Sequence, residues 1–151
     1  MAFIGRAFVI SFALILASMA AGIAVAIGIL GPQWHAFSGD FGERFVFWGT
    51  AFYATGLTGA VGLLPLVILI VLAEAYRVRS LLAYAAGGTL LFLIAYYGSG
   101  APSTYEESID HPPPPISREA QLAAAVGAVF GSTYWLIAGR NAGRWRERRT
   151  D

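Results

Sequence analysis

The chain has 151 residues, of which 57% are hydrophobic and only 13% are charged, and its mean hydropathy is +0.63. Soluble domains carry about 25% charged residues, so this composition excludes an ordinary soluble globule and predicts that lipid surrounds much of the chain. The net charge of +1 gives no electrostatic basis for binding nucleic acid, and the absence of cysteine excludes disulfides, thiolate metal sites and a cysteine nucleophile.

Four apolar segments predict an all-α, polytopic membrane protein. They cover residues 7–30, 45–73, 81–97 and 120–138. Each is near or above the ~18–20 residues that a helix needs to cross the hydrocarbon core of a bilayer. We therefore expect one domain, residues 1–151, in which four transmembrane helices pack as a bundle.

The first segment has some features of a secretory signal peptide. Arg6 precedes an apolar run, and residues 24–26 form a small-x-small pattern. The run is longer than the roughly 7–15 residues of a typical signal-peptide core, which favours an uncleaved helix.

The arginines predict the orientation of the bundle. With four helices, the N-terminus, the turn at residues 74–80 and the C-terminal tail lie on one side of the membrane. Eight of the ten arginines fall on that side, and the other two are Arg44 and Arg118. The positive-inside rule therefore predicts that both termini are cytoplasmic.

Two further segments follow from this topology. Residues 98–119 become an extracytoplasmic loop whose prolines 112–115 predict a stiff polyproline II stretch, either a spacer or a docking segment for a partner. Ser117 is the predicted N-cap of the last helix. Residues 139–151 form a basic cytoplasmic tail suited to anionic lipid.

Small residues recur at helical spacing and predict close helix contacts, because packing rather than the hydrophobic effect drives helix association in lipid. These contacts are expected within the bundle or, alternatively, with a second copy or a partner helix. The glycines predicted to mediate packing are Gly22, Gly56, Gly59, Gly62, Gly87, Gly127 and Gly131.

Glu74 is the main candidate for a functional side chain. It follows the second apolar segment, in which Pro65 predicts a kink. The carboxylate is predicted to form a structural ion pair with Arg77, at i,i+3 spacing, or with Arg140. Alternatively it is an ionisable group of a transport path. Arg79 is grouped with these residues as a candidate ion-pair or functional side chain.

The remaining chemistry is sparse. His35 and His111 lie near carboxylates such as Asp40, Glu43 and Asp110, but their spacing matches no known metal-ligand motif. No nucleophile elbow, phosphate-binding loop or zinc-protease motif occurs in the sequence. We therefore predict no catalytic, cofactor-binding or metal site.

Two segments support the predicted topology through a resemblance. The sequences LAEAYRVRSLLAYAAGG, residues 72–88, and YWLIAGRNAGRWR, residues 134–146, resemble segments of small four-helix inner-membrane proteins of bacteria. In that group an acidic–Arg-x-Arg-Ser turn joins helices two and three, and an aromatic-rich Ala-Gly-Arg stretch closes helix four. The resemblance implies a bacterial cytoplasmic membrane location and this topology, and it implies no reaction.

Together these features favour a non-enzymatic membrane protein, either an accessory or scaffold subunit or a self-associating bundle. Its expected partners are the lipid bilayer and other membrane subunits or further copies of itself. The competing hypothesis is a small oligomeric transporter or channel that uses Glu74 and the helix containing Pro65.

Overall fold

A computed structural model describes residues 2–31, 39–100 and 116–143, with only the backbone described at residues 2–3 and 59–64. These residues form an all-α structure. Its helices are α1 (Ala2–Leu30), α2 (Phe41–Ala75), α3 (Leu81–Gly98) and α4 (Arg118–Ile137), followed by a 3₁₀ turn, η1 (Gly139–Asn141).

The helices extend beyond the predicted apolar segments, most clearly at the start of α2. Asp40 is the N-cap, and its side chain accepts a hydrogen bond of 2.7 Å from the backbone N–H of Glu43. Glu43 also places a negative charge in the first helical turn, where the helix dipole favours it. A polar cap therefore starts the helix four residues before the predicted boundary at residue 45.

Capping also defines the other helix ends. The backbone N–H of Gly31 donates to the carbonyl of Ile27, and its φ of 84° ends α1. Ser117 is the N-cap of α4, as predicted, and its hydroxyl accepts a 3.1 Å hydrogen bond from the N–H of Ala120. The last helix thus begins at residue 118 rather than 120.

The four helices pack in the spatial order α2, α1, α4, α3. Helix α1 packs against both α2 and α4, and α4 packs against α3, whereas α2 and α3 approach each other only weakly. The start of α1, the end of α2 and the segment after α4 meet at one end of the bundle. We call this the arginine end.

The interior contains small side chains and the surface contains large apolar ones. Ala13, Ala17, Ala21 and Ala26 are fully buried, and Val126 is the largest side chain that is completely buried. In contrast, large apolar side chains are exposed along all four helices. Soluble monomers bury such residues, so this distribution favours an apolar surrounding.

Within the described residues, three helical segments are long and apolar enough to cross a membrane. They are Ile4–Leu30, Leu81–Gly98 and Arg118–Ile137. In α2, the described side chains form a shorter apolar stretch, Pro65–Ala75.

Candidate functional site

Glu74 is held at the arginine end by two other segments of the chain. Its Oε1 accepts hydrogen bonds from both Nε, at 3.0 Å, and Nη2 of Arg6. Its Oε2 accepts a 2.9 Å hydrogen bond from the backbone N–H of Gly143. Both oxygens of the carboxylate are therefore engaged, one by α1 and the other by the segment that follows α4.

Arg6 completes this arrangement with a further hydrogen bond. Its Nη2 donates to the carbonyl of Ala138 at 2.9 Å, at the C-terminus of α4. A guanidinium there also interacts favourably with the negative end of the helix dipole. We refer to Arg6, Glu74, Ala138 and Gly143 as the Arg6–Glu74 network.

The network is shielded from solvent. The side chains of Arg6 and Glu74 are only 11% and 13% exposed. A charge-assisted pair of this kind is stronger than an exposed surface ion pair, and removing one partner leaves the other charge uncompensated. The geometry therefore assigns Glu74 to joining the ends of α1, α2 and α4.

The ion-pair partner of Glu74 differs from the predicted ones. Arg77 and Arg140 both have exposed side chains, and the salt bridge is made by Arg6, which is 68 residues away in sequence. The sequence did contain a usable signal. Arg6 is the one charged residue in α1, and the predicted topology places it on the same side as Glu74.

The turn between α2 and α3 is tied to the segment after α4. Nε of Arg79 donates to the carbonyl of Ala142 at 3.1 Å, and the indole N–H of Trp135 donates to the carbonyl of Arg79 at 2.8 Å. Arg77 has a left-handed backbone, with φ of 54°, which is uncommon for a non-glycine residue. These contacts fix the turn against α4.

An apolar cleft lies between α2 and α3, directly beside this turn. Its volume is about 260 Å³. The walls come from α2 between positions 66 and 76 and from α3 between positions 83 and 91, and α4 contributes the floor through Phe130, Gly131 and Tyr134. The carboxylate of Glu74 is not part of its lining. We call this feature the α2–α3 cleft.

The predicted packing glycines occupy two kinds of position. A Cβ at Gly22 would collide with Thr55 and the Ala51 carbonyl of α2. At Gly127 and Gly131 it would collide with the backbone of α3. These three glycines therefore lie where two helices approach too closely for a side chain.

Other predicted packing glycines are not at such contacts. No atom lies within 4 Å of a Cβ built on Gly56 or on Gly87. The close contact to α4 is made by Gly88, the residue next to Gly87, which faces the backbone of Gly127. The surroundings of Gly59 and Gly62 lie outside the described part of the structure.

Several other predictions concern residues that the structure does not describe. They include both histidines, prolines 112–115 and the tail beyond residue 143. Among the described residues, no group of three or more His, Cys, Asp or Glu side chains is arranged to hold a metal ion.

No protein-family model, curated protein or solved structure matches the chain.

Proposed function

We propose that the chain is a four-helix integral protein of the bacterial cytoplasmic membrane, with both termini cytoplasmic. Its role is that of a non-enzymatic accessory or scaffold subunit that associates laterally with a partner or with a second copy. The observation that carries the membrane assignment is the reversed distribution of side chains. Buried alanines form the helix contacts while Phe52, Leu82 and Phe41 are 81%, 79% and 77% exposed.

The length of α2 supports a fourth membrane crossing. Its 35 residues correspond to about 52 Å of helix, which is longer than the ~30 Å hydrocarbon core. The surplus is consistent with a tilted helix or with one that continues into the headgroup layer. Eight arginines at one side of the resulting topology favour cytoplasmic termini.

The lateral association is proposed to use one face of α2, which we call the outer α2 face. Gly49, Phe52, Tyr53 and Gly56 follow i, i+3, i+4, i+7 spacing and therefore share this face. Phe52 and Tyr53 are 81% and 73% exposed, and no atom lies within 4 Å of a Cβ at either glycine. A helix could approach closely at the glycines and pack between the two rings.

Cross-linking in native membranes tests this proposal. Because the chain has no cysteine, a cysteine replacing Leu57, which is exposed beside Gly56, gives a unique attachment point for a bifunctional reagent and keeps both rings of the outer α2 face. We expect a discrete higher-mass species that is lost in Gly56→Leu. The matched control is Gly5→Leu, since Gly5 is also exposed and has no atom within 4 Å of its Cβ position.

A chain that remains monomeric and without a partner, both in native membranes and after extraction in mild detergent, would contradict the proposed association. A chain found outside the membrane fraction would contradict the whole proposal. Loss of cross-linking in Gly5→Leu to the same extent as in Gly56→Leu would indicate that the outer α2 face is not the site of association.

A transporter or channel is the competing function, and the α2–α3 cleft beside Pro65 is the feature that favours it. Such a protein would use Glu74 as an ionisable group. Glu74→Gln tests this role in reconstituted vesicles. Abolished substrate or ion flux with intact folding would support transport, and unchanged flux would exclude a role for the carboxylate.

A further inference from the structure

We propose that the α2–α3 cleft is a binding site for one acyl chain of an anionic phospholipid, whose headgroup is held by Arg77. The inference depends on the membrane location proposed above. It does not depend on the proposed lateral association, which uses a different part of α2, residues 49–56.

The dimensions of the cleft fit a lipid chain from one leaflet. Its wall on α3 runs from position 83 to position 91, which is about 12 Å of helix, and the described α3 residues beyond position 91 do not line it. This length fits within the ~15 Å of hydrocarbon that one leaflet contributes. A partner helix crossing the membrane would need a groove along the full thickness, whereas an acyl chain needs one that ends near the midplane.

The lining of the cleft suits hydrocarbon. Leucine, isoleucine and aromatic side chains form most of it, and glycines 87 and 88 leave room along α3. The hydroxyl of Tyr84, which also lines the cleft, already donates to the carbonyl of Val78 at 3.2 Å. Apart from the hydroxyls of the three lining tyrosines, the lining side chains carry no hydrogen-bonding group, and an acyl chain needs none.

The charge at the mouth of the cleft selects the headgroup. Tyr76 and Val78 both line the cleft, and Arg77 lies between them with an exposed side chain. The one carboxylate among the described residues at this end, Glu74, is already paired with Arg6. The guanidinium of Arg77 is therefore placed to meet a phosphate at the depth where lipid headgroups lie.

The position of Arg77 is also defined by its surroundings. Gly143 lies against it, because a Cβ on Gly143 would be 2.6 Å from Cγ of Arg77. This contact and the left-handed backbone fix the residue between Tyr76 and Val78, which both line the cleft.

The experiment measures which lipids stay with the full-length chain after reconstitution in nanodiscs that contain equal amounts of phosphatidylglycerol and phosphatidylcholine. Native mass spectrometry of the released protein counts the retained lipids. We expect phosphatidylglycerol to be enriched at least about fivefold, the preference expected from one arginine at the membrane surface. The enrichment should fall about fivefold in Arg77→Gln, whatever the other arginines contribute, and persist in Arg118→Gln, a control with an exposed arginine on α4 far from the cleft.

A second pair of variants tests the cleft itself. Gly87→Phe should fill it without displacing other atoms, because Gly87 lines the cleft and has open space at its Cβ position. Retained lipid should be lost in this variant and kept in Gly98→Phe, where the same open space lies away from the cleft. Circular dichroism before lipid analysis establishes that each variant is folded.

Three results would overturn the proposal. The first is no enrichment of phosphatidylglycerol in the parent chain. The second is enrichment that survives Gly87→Phe, which would place the lipid on the surface and outside the cleft. The third is a cross-link between two copies through a cysteine at Ala83, a cleft residue, which would identify a second chain as the occupant.

These outcomes are separable from those of the proposed function. A membrane-embedded monomer that retains the lipid would contradict the lateral association and leave the lipid site intact. An assembled protein without selective lipid retention would contradict the lipid site and leave the lateral association intact.

Discussion

Helix α3 packs tightly against α4 but leaves an open cleft towards α2. Two adjacent glycines, Gly87 and Gly88, mark this difference. Gly88 faces the backbone of Gly127 on α4, so closely that no side chain would fit. Gly87 faces the open α2–α3 cleft, with no atom within 4 Å of its Cβ position. Within α3, a glycine therefore promotes packing only where its rotational position on the helix faces a neighbour.

The largest effect is expected from replacing these two glycines in turn. Gly88→Leu should lower the free energy of unfolding by about 3 kcal/mol, because two helix backbones must separate to admit the side chain. Gly87→Leu should change it by less than about 0.5 kcal/mol, since the new side chain enters open space. Steric trapping or titration with SDS in mixed micelles, followed by circular dichroism, measures both values.

Equal destabilisation by the two substitutions would contradict the proposed difference between Gly87 and Gly88. It would mean that α2 closes against α3 in the membrane and that the cleft is not part of the folded state.

A smaller effect is expected at the Arg6–Glu74 network. Because α2 packs weakly on α3, this network is a principal restraint on the C-terminal end of α2. Glu74→Gln should reduce the free energy of unfolding by about 2 kcal/mol, the size of a lost hydrogen bond to a charged group, since it leaves the guanidinium of Arg6 largely buried without a counter-charge. The end of α2 should then move relative to α3.

Pulsed electron–electron resonance can follow that movement. Spin labels on cysteines replacing Val71 and Leu82 are suitable, because both side chains are exposed and neither lines the cleft. The distance distribution should broaden in Glu74→Gln. The double variant Arg6→Gln/Glu74→Gln should recover part of the lost stability, and strict additivity of the two single effects would argue against a coupled pair.

The smallest effect is expected at Gly143, where the network reaches the segment after α4. Its φ of 75° is strained for any residue with a Cβ, and an added Cβ would press on Arg77. Gly143→Ala should therefore cost about 1–2 kcal/mol of unfolding free energy. Gly49→Ala is the matched control, because Gly49 is helical with open space around it and alanine should be neutral or slightly favourable there. An unchanged stability in Gly143→Ala would indicate that the segment after α4 adjusts freely.

The sequence was sufficient to predict where the helices lie, and the reason is physical. An apolar run marks the part of a helix that needs an apolar surrounding, so the predicted segments fall inside the observed helices, except that the fourth includes Ala138, the C-cap of α4. It does not report the polar caps, which is why α2 begins at Phe41, next to its N-cap Asp40, rather than at residue 45. At α4, where the sequence contains a recognisable cap in Ser117, the N-cap was predicted correctly.

The candidate site was less predictable because its contacts are long-range. Composition and spacing identified Glu74 as an unusual carboxylate, but a neighbour in sequence, Arg77, was the natural partner to expect. The actual partner, Arg6, is brought near by the packing of α1 against α2. Likewise, the choice between Gly87 and Gly88 depends on the rotation of α3 about its axis, and small-residue spacing alone leaves that rotation undetermined.

The Arg6–Glu74 network also has a consequence for how the protein is made. The chain is synthesised from its N-terminus, so Arg6 emerges long before either of its partners. The carboxylate of Glu74 arrives after α2, and the N–H of Gly143, 69 residues further on, arrives only when α4 is complete. Closure of this end of the bundle is therefore a late event in biogenesis, which joins the first helix to the last only after all four have been translated.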